Sequence, residues 1–429
     1  MSVLLHIEVV QREYSCLPKN ELLQHVKKEV SDGLIPAGAN IKSFSNPVLN
    51  EHVESIAFSG ISCEDEVKAI DLKNANIQYY IYQLNTEGQQ AEEMEGGDGR
   101  NEELTAANHW ILPSSDFHGL WETLIYDSSI KENLLNFVET TMLFSDHKVD
   151  TNIISWNRVV LLHGPPGTGK TSLCKALAQK LAIRLGHRYT HGELIEINSH
   201  SLFSKWFSES GKLVMKMFAK IQEYIEDPDA LVCILIDEVE SLTHARQSAL
   251  SGTEPSDSLR VVNAVLTEID RFRRFPNVLV LTTSNITNAI DVAFVDRADI
   301  KQYIGPPSVY AIYKIYQSCI LELKRTGIVT SIDDIVPLKF LQLSPMPENS
   351  AMQLSVRLLE ISRKSEGLSG RTLRKIPFLA HAYYVQSPQV SLEDFIVAMH
   401  KAVIKQLKDR TELEQQDTSA LNNIKQKSS

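Results

Sequence analysis

The run Gly164-Pro165-Pro166-Gly167-Thr168-Gly169-Lys170-Thr171 has the full pattern of a phosphate-binding loop. Its glycines allow backbone N–H groups to close around phosphate oxygens, and a helix beginning there aims its positive dipole end at the same charge. Lys170 would reach the β- and γ-phosphates of a nucleoside triphosphate, the Thr171 hydroxyl would bind Mg2+, and Ser172 continues the binding segment. A second group lies downstream, where Asp237 and Glu238 end the apolar run Leu231–Ile236. Ligands of open α/β sheets sit outside the carboxyl ends of strands. Asp237 is therefore placed to hold the magnesium, directly or through water, and Glu238 to take a proton from an attacking water. Asn285 follows a further apolar run, Val278–Thr283. An amide there could orient the attacking water or cap the next helix, a task open to Thr287 and Asn288 as well.

These residues need a scaffold, and the hydrophobic pattern describes one. From Trp110 to about Val309 short apolar runs alternate with helical stretches. Arg158–His163 precedes the phosphate loop and a helix over Thr171–Leu185 follows it, which is the context the motif requires. Continuous apolar strands between helices imply a parallel sheet covered on both faces. The expected fold class is α/β, with a parallel-sheet large domain over 108–307, a small helical lid over 308–410 and a polar, frayed tail over 411–429. Residues 1–84 form a small α+β domain. Within it Val3–Val10 reads as a strand, Leu22, Leu23, Val26 and Val30 lie at helical spacing behind a possible Asn20 cap, and Ile77, Tyr79 and Ile81 alternate as a strand would. Residues 85–107, rich in glutamate and glycine, read as a flexible acidic linker.

Composition narrows the function. At about 150 residues per domain, 429 residues make two to three domains. With 43% hydrophobic and 23% charged residues the chain is neither mostly disordered nor fibrous. The longest apolar run, Ala230–Ile236, is too short to cross a bilayer, and the first residues do not read as a secretory signal. Cys16, Cys63, Cys174, Cys233 and Cys319 are scattered without metal-ligand spacing, which points to a reducing compartment and away from zinc. A net charge of −11 argues against broad binding to a nucleic-acid backbone.

The phosphate loop, the Ile236-Asp237-Glu238 strand end and Thr282-Thr283-Ser284-Asn285 together resemble an AAA+ ATPase. Longer stretches resemble the pachytene checkpoint protein 2 family, also called thyroid receptor-interacting protein 13. They are Ala107–Trp110, Ser201–Lys212, Leu235–Leu242, Asp291–Pro307 and Ser365–Lys375, within a likeness over about residues 107–410. The resemblance implies that Asn285 is a sensor of the γ-phosphate and that Arg371 is a second sensor reaching it from the lid. It implies that Arg297 is an arginine finger completing a neighbouring subunit's site, although a salt bridge with Asp296 or Asp299 is the alternative.

Lys205-Trp206-Phe207 resembles a pore loop in which Trp206 and Phe207 grip a polypeptide, with a second pore loop within Thr243–Asp257. The alternative for Trp206 is a core anchor. Leu124-Ile125-Tyr126 lies where this class wraps adenine, or makes a core contact at a helix entry. The family further implies a homohexamer using ATP and Mg2+ to thread and locally unfold HORMA-domain proteins, turning them from a closed to an open state, with a HORMA-like adaptor. The implied setting is the spindle checkpoint and meiotic chromosome synapsis, on chromosomes and kinetochores in the nucleus and in the cytoplasm. No membrane and no sequence-specific nucleic acid are expected as partners. Two other classes stay open: a nucleic-acid-associated AAA+ loader, and a scaffold in which ATP only fixes the oligomer.

Overall fold

The computed structural model describes residues 4–30, 34–36, 38–59, 70–94, 104–127, 129–199, 210–242, 256–285, 290, 292–343 and 349–427. The chain divides into two compact units. The first comprises residues 1–124, 128–165 and 170–304; the second comprises 125–127, 166–169 and 305–429.

The first unit opens with the N-terminal α+β domain. Strand β1 (Leu4–Gln11) pairs antiparallel with β3 (Val53–Ser59) and parallel with β4 (Asn76–Gln83), while β2 (Asn40–Ile41) lies outside β3. Side chains alternate across a strand. Leu5, Ile7 and Val9 thus meet Leu22 and Val26 of helix α1 (Lys19–Glu29) in one apolar core. That helix starts one residue before Asn20, with Pro18 at its N-cap and no side-chain cap bond. A proline pre-sets its backbone angle, so the cap expected of Asn20 is not needed.

The other face of β1 is buried too. Val10 and Tyr82 pack on Ile183, and the Glu8 carboxylate lies 2.7 Å from the Lys180 ammonium, both buried. Lys180 also reaches Glu122 at 3.1 Å. Lys180 and Ile183 belong to the helix that follows the phosphate loop, so the N-terminal domain sits directly on the ATPase core. Breaking a buried pair by removing one partner typically costs about 3–5 kcal/mol, because it strands a charge.

The ATPase core is a seven-stranded sheet. Its strands are β5 (Gln90–Met94), β6 (Leu104–Leu112), β7 (Val159–His163), β8 (His191–Asn198), β9 (Ala230–Asp237), β10 (Val278–Ser284) and β11 (Ile300–Tyr303). Their spatial order is β11-β7-β10-β9-β8-β6-β5; the first five are parallel, and β6 and then β5 are each added through an antiparallel pairing. Helices α2 (Lys170–Arg184), α3 (Ser210–Ile225) and α4 (Ser256–Phe272) accompany it. Phe218, Val262, Val265 and Phe272 close a core over Val232, Ile234 and Val280.

Two expectations are corrected here. Residues 85–107 are not a linker throughout, because Gln90–Met94 and Leu104–Ala107 add antiparallel strands to the sheet. Backbone pairing needs no apolar side chain, and charged residues are what edge strands favour. Nor is 411–429 a frayed tail, since the last helix runs from Leu392 to Lys427. Its glutamates, glutamines, lysines and leucines are good helix formers, and extending a helix is far cheaper than starting one.

The second unit is helical. Helices α5 (Val309–Arg325), α6 (Ser350–Lys364), α7 (Gly370–Ala380) and α8 (Leu392–Lys427) enclose Tyr313, Tyr316, Leu358, Leu373, Phe395 and Met399. The buried hydroxyls are satisfied: Tyr313 donates to the Val336 carbonyl at 2.6 Å, and Tyr316 bonds Ser365 Oγ at 2.8 Å. Among the described residues no helix is long and apolar enough to cross a membrane. Cys16, Cys174, Cys233 and Cys319 are unpaired, and burial pushes the Cys233 thiol up to about 12.

The domain contact should make the fold acid-sensitive. Burial, then the charges of Arg184 and Lys180, hold His6 down at about 4 against its ordinary 6.5. The neutral ring thus contributes stability that is present above 6.5 and lost as pH falls from 6.5 towards about 4. Its full size is about 3 kcal/mol. The melting temperature should fall through this window, and His6→Gln should flatten that part of the curve. Identical pH slopes in the two proteins would place the acid sensitivity elsewhere.

Candidate active site

Strand β7 ends at His163, and the chain turns at Gly164 with φ +141°. A Cβ at this position would lie 2.2 Å from the Ile304 carbonyl oxygen, so only glycine fits. The Gly164 N–H donates to Ser284 O at 3.2 Å, which fastens the loop to the end of β10. Lys170 opens α2 and is buried. Its ammonium donates to the carbonyls of Gly164 (2.8 Å) and Pro165 (2.9 Å), so it folds back over the loop it follows. Burial, then the Lys170 charge, hold His163 below its ordinary range.

Thr171 is the second residue of α2, and its hydroxyl donates to Asp237 Oδ1 at 2.9 Å. The Thr283 hydroxyl of β10 donates to the same oxygen. Thr283 Oγ1 also accepts from the Glu238 N–H at 3.1 Å, and the Thr283 carbonyl accepts from the Val239 N–H at 2.9 Å. Glu238 has a left-handed backbone, φ +58°. Its Oε1 accepts from the Asn285 amide at 3.2 Å, and the Asn285 N–H donates to Glu240 Oε1 at 3.1 Å.

Thr171, Asp237, Glu238 and Asn285 are thereby joined in one hydrogen-bonded chain at the carboxyl ends of β9 and β10. Among the described residues no three His, Cys, Asp or Glu side chains cluster as a complete metal cage. A hydroxyl beside a carboxylate nevertheless suits a hard divalent cation that takes its remaining ligands from phosphates and water. The glycine turn, buried lysine and helix start suit the phosphates themselves.

The other sequence candidates fall elsewhere. Arg297 does not pair with Asp296 or Asp299. Its Nε and Nη2 donate to the two carboxylate oxygens of Asp270, at 2.9 and 2.7 Å, and its Nη1 to the Ala293 carbonyl at 2.7 Å. Asp299 is occupied, accepting from the Asn157 backbone N–H at 2.9 and 3.0 Å.

Pro166, Gly167, Thr168 and Gly169 are grouped with the second unit, as is Arg371. The Arg371 N–H donates to the Gly167 carbonyl at 3.1 Å, and its side chain is exposed in the first turn of α7. Ile125 packs against the helical core, the core-contact alternative for that segment. Trp206, Phe207 and nearly all of Thr243–Asp257 lie outside the described residues.

Sequence reasoning missed Thr283, Glu240 and Asp270 as working parts. For Thr283 a signal existed, since hydroxyls interrupt an otherwise apolar buried strand at its carboxyl end. For Asp270 there was none, because its partner lies on another element.

Residues 160–306 match the ATPase family associated with various cellular activities (AAA). Residues 308–407 match the TRIP13-like, AAA+ ATPase lid C-terminal domain, and residues 1–87 the TRIP13 N-terminal domain. The pachytene checkpoint protein 2 homolog of Gallus gallus is 56% identical over 414 residues, 96% of this chain and 95% of the relative. The structure of C. elegans PCH-2 matches with a TM-score of 0.74 at 36% identity, over 95% of this chain and 100% of that chain. A solved E. coli MS115-1 HORMA:CdnC:Trip13 complex includes a chain of similar fold, with a TM-score of 0.50 at 19% identity over 68% of this chain and 94% of that one.

The core and its loop therefore define an AAA ATPase, an enzyme that binds and hydrolyses nucleotide. TRIP13-specific domains stand on both sides of that core, and the chain belongs to the TRIP13, or pachytene checkpoint protein 2, family.

Thr283→Val tests the hydroxyl at the centre of the cluster. It keeps shape but leaves the Glu238 N–H and Asp237 short of a partner. It should cost about 1–3 kcal/mol of stability. ATP turnover should fall more than nucleotide affinity. Thermal unfolding and steady-state ATPase on one preparation check both; two unchanged values would mean the hydroxyl holds nothing.

Proposed function

We propose that this chain acts as a homohexameric remodeller that uses ATP and Mg2+ to thread and locally unfold HORMA-domain proteins, converting them from a closed to an open state. The observation that carries the hydrolytic part is the joined set of Thr171, Asp237, Glu238 and Asn285 beside a buried Lys170. The substrate part is supported by family membership and by the HORMA protein named with Trip13 in the E. coli complex. The names of the curated relatives support a meiotic checkpoint setting. We extend the same reading to chromosomes and kinetochores in the nucleus, to the cytoplasm, and to a HORMA-like adaptor met by the N-terminal domain. A net charge of −11 counts against the nucleic-acid loader.

In this reading Gly164–Ser172 bind ATP, and Lys170 exchanges the carbonyls of Gly164 and Pro165 for phosphate oxygens. Thr171 and Asp237 hold Mg2+, which neutralises phosphate charge when bound. Glu238 takes a proton from the attacking water while Asn285 orients it. Arg371 senses the γ-phosphate from the lid, and Arg297 completes the site of a neighbouring subunit, which is why a ring is needed. Trp206 and Phe207 grip the threaded segment.

Glu238→Gln preserves shape but cannot accept the proton, so it should bind ATP, assemble and trap substrate with hydrolysis nearly abolished. A pull-down from the purified pair in ATP reads the trap, and near-normal turnover would remove Glu238 from the role of base. Trp206→Ala should lose substrate conversion, because it removes the aromatic contact area that grips a peptide. A stable, ring-forming mutant that converts a HORMA protein at the normal rate would end the pore-loop assignment.

A further inference from the structure

Arg297 ends the short helix Val292–Arg297, and its backbone is fixed on both sides. Asn157 Nδ2 donates to the Arg297 carbonyl at 3.1 Å, and the Asp299 N–H donates to Val159 O at 2.9 Å. The side chain is fixed as well. Nε–H and one Nη2–H grip the Asp270 carboxylate side-on, and one Nη1–H turns back to the Ala293 carbonyl one helical turn earlier. A guanidinium has five N–H donors, so one remains on each terminal nitrogen. That remaining pair is the fork with which an arginine takes a phosphate end-on.

Asp270 is oddly placed for any purpose of its own helix. It lies in the last turn of α4 (Ser256–Phe272), where a negative charge meets the negative end of the helix dipole. It is 44% exposed and contributes little to the core, while Arg297 is 27% exposed. A single ion pair that stays partly open to water in this way adds only modest stability. Its geometry, bidentate and backed by a helix carbonyl, instead does what a long flexible side chain cannot do alone: it holds the fork in one orientation.

We propose that Asp270 is a positioning residue for hydrolysis in the neighbouring subunit: it pre-orients the Arg297 fork towards the phosphate of the site across the interface. The proposal rests on the reading of Arg297 as an arginine finger. The gain is one of pre-organisation, since a charge aimed in advance at the transferring phosphate needs no rearrangement when the reaction occurs. Asp270 touches neither nucleotide nor water; it acts through Arg297.

Asp270→Asn replaces one accepting oxygen with an amide that opposes the Arg297 N–H. In the full-length protein kcat should fall about ten- to a hundredfold, the scale of a misplaced catalytic group, with nucleotide affinity and ring assembly unchanged. Arg297→Ala is run alongside, and the Asp270→Asn effect should vanish in that background. Mixed rings give the readout that a structural role would not move. Each Glu238→Gln subunit carries an intact Asp270–Arg297 pair, so it should restore hydrolysis at the site of an adjoining Asp270→Asn subunit.

Normal or faster turnover by Asp270→Asn beside an inactive Arg297→Ala overturns the positioning role and leaves the finger standing. Normal turnover by both removes the finger reading itself. Mixed rings that co-assemble without recovery place the defect of Asp270→Asn in its own subunit and overturn the proposal. If Asp270→Asn does not assemble, Asp270→Ala, a truncation at a half-exposed position, carries the same comparisons.

Discussion

A carboxylate at the end of a strand buried along almost its whole length is costly, and the ATPase core is arranged around satisfying it. Asp237 closes β9, whose preceding residues are all buried. Its Oδ1 accepts the hydroxyls of Thr171 and Thr283, and its carbonyl accepts the Ser199 hydroxyl at 2.7 Å. Those three hydroxyls come from the start of α2, from β10 and from just beyond β8. They converge only because β10 and β8 flank β9, with Thr282 opposite Ile236 and Asn198 opposite Asp237. A one-residue slip would turn every side chain to the other face. Strand register and the chemistry at its end are therefore one constraint.

Thr283 extends that constraint to Glu238. One hydroxyl gives its proton to Asp237 and accepts the Glu238 N–H. This helps hold Glu238 in a left-handed backbone, a conformation costing roughly 1–2 kcal/mol for a residue with a Cβ. Strain of that kind persists where surrounding bonds over-determine it. Here they are the two backbone bonds to Thr283 and the amide of Asn285 on the carboxylate. Glu240 adds a further tie, because its buried Oε1 fixes the Asn285 backbone. The groups that would hold a cation and the group that would accept a proton are thus mechanically joined.

The parts legible in the sequence are those whose chemistry is local. The phosphate loop announces itself because its glycines, lysine and threonine must be contiguous. Asp237 and Glu238 stand out because charge follows directly on an apolar run. For Asn285 the strand before it left two readings open, a water-orienting amide or a helix cap, and only the family resemblance chose between them. Asp270 and Arg297 are separated by 27 positions, and nothing in either segment names the other. The strand Gln90–Met94 was hidden for a different reason. Its hydrogen bonds use backbone groups that every residue has, so its glutamates read as solvated chain. The long last helix was missed because polar composition was taken for disorder, when an anchored helix can run on through good helix formers.

Helix α2 joins the two ends of the first unit. It carries Lys170 and Thr171 at its start and, about three and four turns on, Lys180 and Arg184 against the N-terminal domain. A helix rises 1.5 Å per residue, so the Lys180 contact lies about 15 Å from the phosphate loop along a rigid rod. The ion pair at that contact is asymmetric. Lys180 serves both the buried Glu8 and the half-exposed Glu122. If the N-terminal domain lifts away, Glu8 passes into water and Lys180 keeps Glu122, so neither charge is left buried without a partner. Deleting Lys180 in the docked protein is different, for it leaves Glu8 buried without its partner. The contact is therefore much harder to mutate than to open, because only the mutation leaves a charge buried without a partner.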